Sequence, residues 1–277
     1  MRKYLSEFLG TFVLVFCGCG SMLATYFLIS AMGMTIPLAF TIVAVALAFG
    51  ATTSVVYYLF KEVSGAHINP AVSIAVLING GFEKKKQCIG YLIAQFAGST
   101  IAACILWLVT GQKYYLGQNG YDDQSSLYIG MVSAIVIEII LTMVLVMVFL
   151  KVSNSKNENT AAGSIVLGIT TTALYMAALP FTGASLNPAR SFGPAIIMLS
   201  DAIKQVPVFI IAPVVGAIIA AFLYKGLVCG EKIIKPKEKV AEGTDETENK
   251  EVKEKKGFFR KKSKKVKIEE TEKTEEK

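Results

Sequence analysis

Gly65-Ala66-His67-Ile68-Asn69-Pro70-Ala71 and Gly183-Ala184-Ser185-Leu186-Asn187-Pro188-Ala189-Arg190 decide how this chain is read. In each stretch an Asn precedes Pro, Ala and an apolar run. Asn caps the orphan N–H groups of a helix start, and Pro suits its first turn. The runs that follow, Ala71 to Ile78 and Ser191 to Leu199, fall short of the roughly 20 apolar residues that cross a bilayer. Half-length helices between full spans read as re-entrant segments, tolerated only where their irregular backbone is packed in protein or lines a wet cavity. The pattern predicts a pore.

Around these two stretches lie long apolar runs, near 5–29, 36–60, 88–110, 127–150, 162–180 and 206–228, each sufficient for one crossing. Gly80 to Lys86, Gly117 to Asp123 and Ser153 to Thr160 punctuate them. With 53% hydrophobic residues and a mean hydropathy of +0.52, the chain reads as a polytopic membrane protein rather than a soluble enzyme. The first span is read as retained, since no small-residue cleavage site follows it. The five cysteines, Cys17, Cys19, Cys88, Cys104 and Cys229, lie in or beside apolar segments without the spacing of a zinc site. No metal or cofactor is expected.

The net charge of +7 sits largely in the tail beyond Gly230 and in loops, so it informs topology and gives no ground for nucleic-acid binding. Arg2, Lys3, Lys61, Lys84 to Lys86, Lys151 and Lys156 fall on one side of the six spans; Lys113 and Lys204 fall on the other. The positive-inside rule makes both termini cytoplasmic.

The chain repeats itself. A shift of 118 residues carries Asn69 onto Asn187, Gly50 onto Gly168, Tyr57 onto Tyr175 and Gly98 onto Gly216. A shift of 131 carries Glu7 onto Glu138 and Thr11 onto Thr142. Each copy, about 1–125 and 126–230, holds three spans and a half-helix. Three is odd, so the second copy is inverted, and the two Asn-Pro-Ala starts are expected to meet head to head at mid-membrane. Two opposed helix N-termini would place positive potential there, with the Asn69 and Asn187 amides as donors. Arg190 is a charge at membrane depth and therefore a functional candidate, with a structural ion pair as the plainer reading. Glu7 and Glu138 are buried acids at matching places.

These residues resemble the major intrinsic protein family, the aquaporins and aquaglyceroporins, over about 1–230. The resemblance rests on the paired motifs Asn69-Pro70-Ala71 and Asn187-Pro188-Ala189, the second continuing as Arg190-Ser191. It implies an all-α membrane fold of six spans and two half-helices, with one pore per subunit in a homotetramer of the plasma membrane. Glu7 and Glu138 would then be structural, bonding the half-helix loops, ahead of a proton relay. His67 would face the cytoplasmic mouth, as a neutral lining group ahead of a pH gate. Phe49, Tyr175, Ala184 and Arg190 map onto the family's narrow filter.

Phe49 and Ala184 are similar to the water-selective branch, as are Ser191, Ala195 and the short connections; Tyr175 stands where that branch has His, and Ile210 departs from it. The resemblance therefore implies a passive channel for water that also admits small neutral solutes and excludes ions and protons. A glycerol facilitator is the alternative. An ion-coupled transporter would need coupling-ion ligands, and the spans offer only Glu7 and Glu138. A membrane enzyme would need a convergent catalytic set, and one His with few buried acids supplies none.

Residues 231–277 change to Lys, Glu and Thr with no periodic face, the composition of a disordered tail. Within it, Gly257 to Lys267 joins basic residues to Phe258 and Phe259, which suits an anionic cytoplasmic leaflet; a solvated charge run is the plainer reading. If the leaflet reading holds, a peptide of 255–268 partitions onto vesicles containing anionic lipid and is released by high salt. Salt-insensitive or absent partitioning, measured by sedimentation, would retire it.

Overall fold

Apolar residues dominate each long helix, yet the side chains that face lipid and those that face inward differ in kind. A computed structural model describes residues 1–30, 33, 37–111, 115–154 and 159–228, which belong to one compact unit. The helices run α1 (Arg2–Ser30), α2 (Leu38–Ser64), α3 (Pro70–Ile78), α4 (Lys85–Thr110), α5 (Met131–Ser153), α6 (Thr160–Thr182), α7 (Pro188–Met198) and α8 (Ala202–Leu223). A short 3₁₀ turn, Asp122–Gln124, interrupts the loop before α5, and Tyr224–Val228 extends α8 as a π-helical turn. Among the described residues six helices are long and apolar enough to cross a membrane. The tail expected from residue 231, with its basic aromatic segment, lies outside the described residues, as do Lys113, Lys156 and Cys229.

The short helices are set by their caps. Asn69 Oδ1 accepts from Ala71 N at 2.9 Å, and Asn187 Oδ1 accepts from Ala189 N at 3.0 Å. Each helix therefore opens at the Pro itself, earlier than the apolar runs alone suggest. At 1.5 Å per residue they are about 14 and 16 Å long, roughly half of a ~30 Å hydrocarbon layer. The long helices also exceed the apolar runs at several ends. At α8 hydropathy passes over Lys204 and Gln205, which lie in its first turn. The fourth span instead starts late, at Met131, because Tyr128 takes a left-handed φ of 52° and Gly130 caps the helix.

Packing follows the repeat. The closest helix pairs are α1 with α4, α5 with α8, and α2 with α6. A Cβ on Gly98 of α4 would stand 2.3 Å from the Phe8 carbonyl of α1, and one on Gly216 of α8 would stand 2.4 Å from the Ile139 carbonyl of α5. These are mates, Gly98 with Gly216 under the 118 shift and Phe8 with Ile139 under the 131 shift. Between the two halves, Gly50 of α2 meets Gly168 of α6. A Cβ on Gly50 would stand 2.5 Å from Gly168 O, and one on Gly168 would stand 2.8 Å from Gly50 O. Self-mated residues in contact mark the pseudo-twofold relation of the halves. Small residues permit such close backbone approach where lipid supplies no hydrophobic drive between helices.

The outer faces expose Ile93, Val132, Ile169 and Ile211, each more than 60% accessible. In water such faces would aggregate; against acyl chains they are at home. The interior holds the polar groups: Glu7, Glu138, Arg190, Asn69 and Asn187 are all buried.

Gly98→Ala and Gly226→Ala make the same chemical change in different surroundings, since nothing lies within 4 Å of a Cβ on Gly226. The first forces α1 and α4 apart at backbone atoms and is expected to cost about 1–3 kcal/mol or more, whereas the second is near neutral. Thermal unfolding in detergent measures the difference.

Candidate pore

Two loops of unusual backbone lead into the half-helices. Ala66 and Ile68 have φ of 48° and 47°, and their mates Ala184 and Leu186 have 55° and 53°. A branched residue such as Ile68 seldom takes this left-handed conformation, and each instance costs on the order of 1–3 kcal/mol unless its surroundings impose it.

The buried acids impose it. Glu7 Oε1 accepts from Ser64 Oγ at 2.7 Å and His67 N at 2.9 Å; its Oε2 accepts from Ile68 N at 2.6 Å and Gln95 Nε2 at 2.7 Å. In the second copy Glu138 Oε1 accepts from Thr182 Oγ1 at 2.7 Å and Ser185 N at 2.9 Å, and Oε2 accepts from Leu186 N at 2.8 Å. Each carboxyl group is thus an anchor beneath a loop, tying successive N–H groups to one side. Both are fully buried; Glu7 accepts four hydrogen bonds and Glu138 three, two in each case from N–H groups of the loop.

The loops then meet. Asn69 Nδ2 donates to Leu186 O at 2.8 Å, and Asn187 Nδ2 donates to Ile68 O at 2.9 Å. Each Asn therefore caps its own helix with its oxygen and grips the opposite loop with its nitrogen. An amide NH₂ carries two hydrogens, so one on each Asn is left over. The helices diverge from this junction: Lys225 at the end of α8 donates to Ile78 O at the far end of α3, while α7 ends beside Ser200 on the opposite face.

Phe49, Tyr175 and Arg190, from α2, α6 and α7, are brought together, and Ala184 of the second loop belongs to the same buried cluster as the two rings. The Phe49 and Tyr175 rings stack with centroids 4.1 Å apart at 25°. The Arg190 guanidinium carbon lies 5.2 Å from the Phe49 centroid, within cation–π range. Arg190 Nη1 donates to Gly117 O, and Nη2 reaches Gly183 O at 3.3 Å and Met22 Sδ at 3.2 Å. Among the described residues its Nε has no hydrogen-bond partner. Among the described residues no carboxylate lies within ion-pair distance of Arg190; carbonyls and a thioether hold it.

Three cavities follow the same path. An outer one of about 420 Å³ is lined by Met22, Tyr26, Tyr115, Gln118 and Gly183 among others. A central one of about 40 Å³ is lined by Ala66 to Asn69, Tyr175, Leu186 and Asn187. An inner one of about 250 Å³ is lined by Lys3, Lys61, Glu83, Tyr91 and His67. Tyr175 borders the central cavity, and Gly183, whose carbonyl accepts from Arg190, borders the outer one. His67 borders the central and inner cavities and forms the neck between them. Its Nδ1 lies 3.1 Å from Ser73 Oγ, and Phe82, Tyr91 and Phe149 pack edge-on around its ring.

Several supporting groups escaped the sequence reading. Ser64 and Thr182, Gln95, and Asn119, whose Oδ1 accepts from Ser191 Oγ at 2.8 Å, carry no motif. The 118 shift does pair Ser64 with Thr182, both hydroxyls, and that was the available signal. Gly117 and Met22 had none, because their role lies in contact with Arg190 across the fold. Among the described residues no three or more His, Cys, Asp or Glu side chains gather as a metal site.

Six spans enclosing two head-to-head half-helices, with a polar path between two mouths, define a transmembrane channel. Residues 1–224 match the family model described as major intrinsic protein, and the chain belongs to that family. It is 40% identical over 223 residues to a protein of Lactiplantibacillus plantarum named glycerol uptake facilitator protein-like 6, covering 80% of this chain and 96% of that one. It is 36% identical over 233 residues to Aquaporin Z of Brucella melitensis, covering 82% and 98%. Its fold is similar to the X-ray structure of the aquaglyceroporin from Plasmodium falciparum, with a TM-score of 0.70, 24% identity, and 82% and 96% coverage. As a member of this family the chain is a passive channel for water and small solutes, not an enzyme.

The anchor beneath the second loop makes a specific demand. In Glu138→Gln the amide presents one oxygen and one NH₂ to an environment of N–H donors, so either Ser185 N or Leu186 N is left unpaired. The expected loss is about 1–3 kcal/mol, read as a lower unfolding temperature, together with slower water flux per channel because Leu186 O no longer meets Asn69.

Proposed function

We propose that the pore conducts water in preference to larger neutral solutes, leaks small ones such as glycerol, hydrogen peroxide or ammonia, and excludes ions and protons. The crossed grip of Asn69 and Asn187 carries this reading. Each amide spends one hydrogen on the opposite loop and leaves the other for a passing water oxygen. The two half-helix N-termini add about half a positive charge each. A water that accepts there turns both its hydrogens outward, and so cannot receive a proton from one neighbour and deliver one to the next. Cations meet the same potential and, before it, Arg190. Selectivity of this type combines diameter, hydrogen-bonding lining and fixed positive charge, as is general for water channels.

The filter roles of Phe49, Tyr175, Ala184 and Arg190 are part of the proposal. With Phe49 stacked on Tyr175, the aperture is small, and this favours water over a triol. The alternative, a glycerol facilitator, draws support from the name of the Lactiplantibacillus plantarum relative and from the apolar ring face that Tyr175 offers in place of imidazole. We assign His67 to a neutral lining role at the inner neck, since hydroxyl and aromatic partners surround it.

The orientation proposed has both termini in the cytoplasm. Its support is that Lys3 and Lys61 gather at the inner cavity, the arrangement of a positive inner side. Family membership supports a homotetramer in the cell membrane, each subunit with its own pore. The proposed division of the chain remains a channel unit of two inverted repeats, 1–125 and 126–230, followed by the charged tail.

Stopped-flow light scattering on proteoliposomes tests the solute reading, with Tyr175→His beside the wild type. Wild-type vesicles are expected to shrink in an osmotic gradient well ahead of empty ones. The His variant is expected to raise the water-to-glycerol ratio by roughly tenfold, the low end of what a small change in a pocket's fit is worth. Water flux no faster than in empty vesicles would sink the proposal, and rapid glycerol entry with little water flux would promote the facilitator.

A further inference from the structure

Met22, on α1, has two surroundings at once. It lines the outer cavity of about 420 Å³, and its Sδ accepts from Arg190 Nη2 at 3.2 Å. Gly117, whose carbonyl takes the other arm of Arg190, packs against it: a Cβ on Gly117 would stand 3.0 Å from Met22 Sδ. The neighbouring sulfur, Cys19, is fully buried and lines none of the three cavities. A thioether is a weak acceptor and an oxidisable group. Met22 is only 7% exposed, but what it does expose borders the outer cavity while its sulfur is bonded to Arg190.

We propose that Met22 is an oxidative modification site, at which hydrogen peroxide in the outer cavity converts the thioether to a sulfoxide and thereby slows flux through the filter. The sulfur lone pair attacks one peroxide oxygen; an S–O bond forms as the O–O bond breaks. Sulfur is oxidised by two electrons and the peroxide is reduced. The departing hydroxide takes the proton carried by the transferred oxygen and leaves as water. The product is polar, with a strong acceptor oxygen.

The geometry gives that oxygen no neutral place beside Arg190. An N–H···O bond itself needs about 2.9 Å, and only 3.2 Å separates sulfur from Nη2. To use the new acceptor the guanidinium must withdraw from the sulfur. Its Nη1 is tied to Gly117 O, and the space on the other side is that of the Phe49 ring, 5.2 Å from the guanidinium carbon. The movement therefore goes toward the stacked Phe49 and Tyr175 rings. Reduction by methionine sulfoxide reductases restores the thioether.

The inference rests on Arg190 acting at the filter, and its test separates the two. Full-length protein in proteoliposomes is exposed to hydrogen peroxide, digested and analysed by mass for oxygen on each of its nine methionines. Water flux is followed before exposure, after it, and after repair by the two epimer-specific reductases. The expected result is one added oxygen on Met22, a severalfold fall in flux and recovery on repair; Met22→Leu gives the same flux with and without peroxide. An unmodified Met22, a modified Met22 with unchanged flux, or a Met22→Leu channel that responds like the wild type would each overturn it. The mass readout does not depend on flux, so failure of the oxidation chemistry is distinguishable from failure of the filter reading.

Discussion

Two hydrogen bonds 2.8 and 2.9 Å long, from Asn69 Nδ2 to Leu186 O and from Asn187 Nδ2 to Ile68 O, hold the halves of this channel together at its centre. Neither can form unless the carbonyl before each opposite Asn turns away from its own helix. That turn requires left-handed backbone at Ile68 and Leu186, a conformation these residues resist. The resistance is overcome by Glu7 and Glu138, each of which gathers consecutive N–H groups of one loop from below. A buried acid, a strained loop and an amide grip thus form one dependent series, present twice.

The duplication is instructive where it fails. Gln95 adds a fourth donor to Glu7 and also reaches Ser73 Oγ at 2.9 Å; the same shift places Pro213 in the other copy. His67, bonded to Ser73, has Ser185 as its mate, bonded to Ser191 at 2.6 Å. A ring fills the inner neck where a hydroxyl suffices on the outer side. Val72 has Arg190 as its mate, so fixed charge enters one half only. The central junction is symmetric and the two approaches to it are not: one is an aromatic and imidazole neck, the other a guanidinium against stacked rings.

What the sequence disclosed was what is local or repeated. Asn-Pro-Ala declares a helix start because capping acts within a few residues, and the halved run after it discloses a re-entrant element. The repeat disclosed the inversion and the pairing of Glu7 with Glu138. The groups that fix Arg190 were hidden, since Gly117 is 73 positions away and Met22 is 168, and neither residue type announces an acceptor. Span ends were blurred for a similar reason. Hydropathy reports what prefers lipid, whereas the helix ends are decided by Asn159, whose side chain accepts from Ala162 N at 3.1 Å, or by the left-handed turn at Tyr128.

The width at the proposed filter is bound to a close helix crossing. Phe49 immediately precedes Gly50, and Tyr175 lies two helical turns beyond Gly168, so the stacked rings sit beside the crossing of α2 and α6 at which those glycines touch. The helices cannot close further there, because backbone already meets backbone. They cannot readily part either, since interiors packed to this density do not deform continuously and the same crossing joins the two halves. A crossing packed in this way resists adjustment of the aperture through the scaffold. The aperture is left to side chains at 49 and 175 and to the position of the Arg190 guanidinium. On the proposed filter roles, one substitution at 175 would retune such a scaffold between solutes without loss of the central grip, and specificity would lie with that Tyr rather than with the shared Asn-Pro-Ala pair.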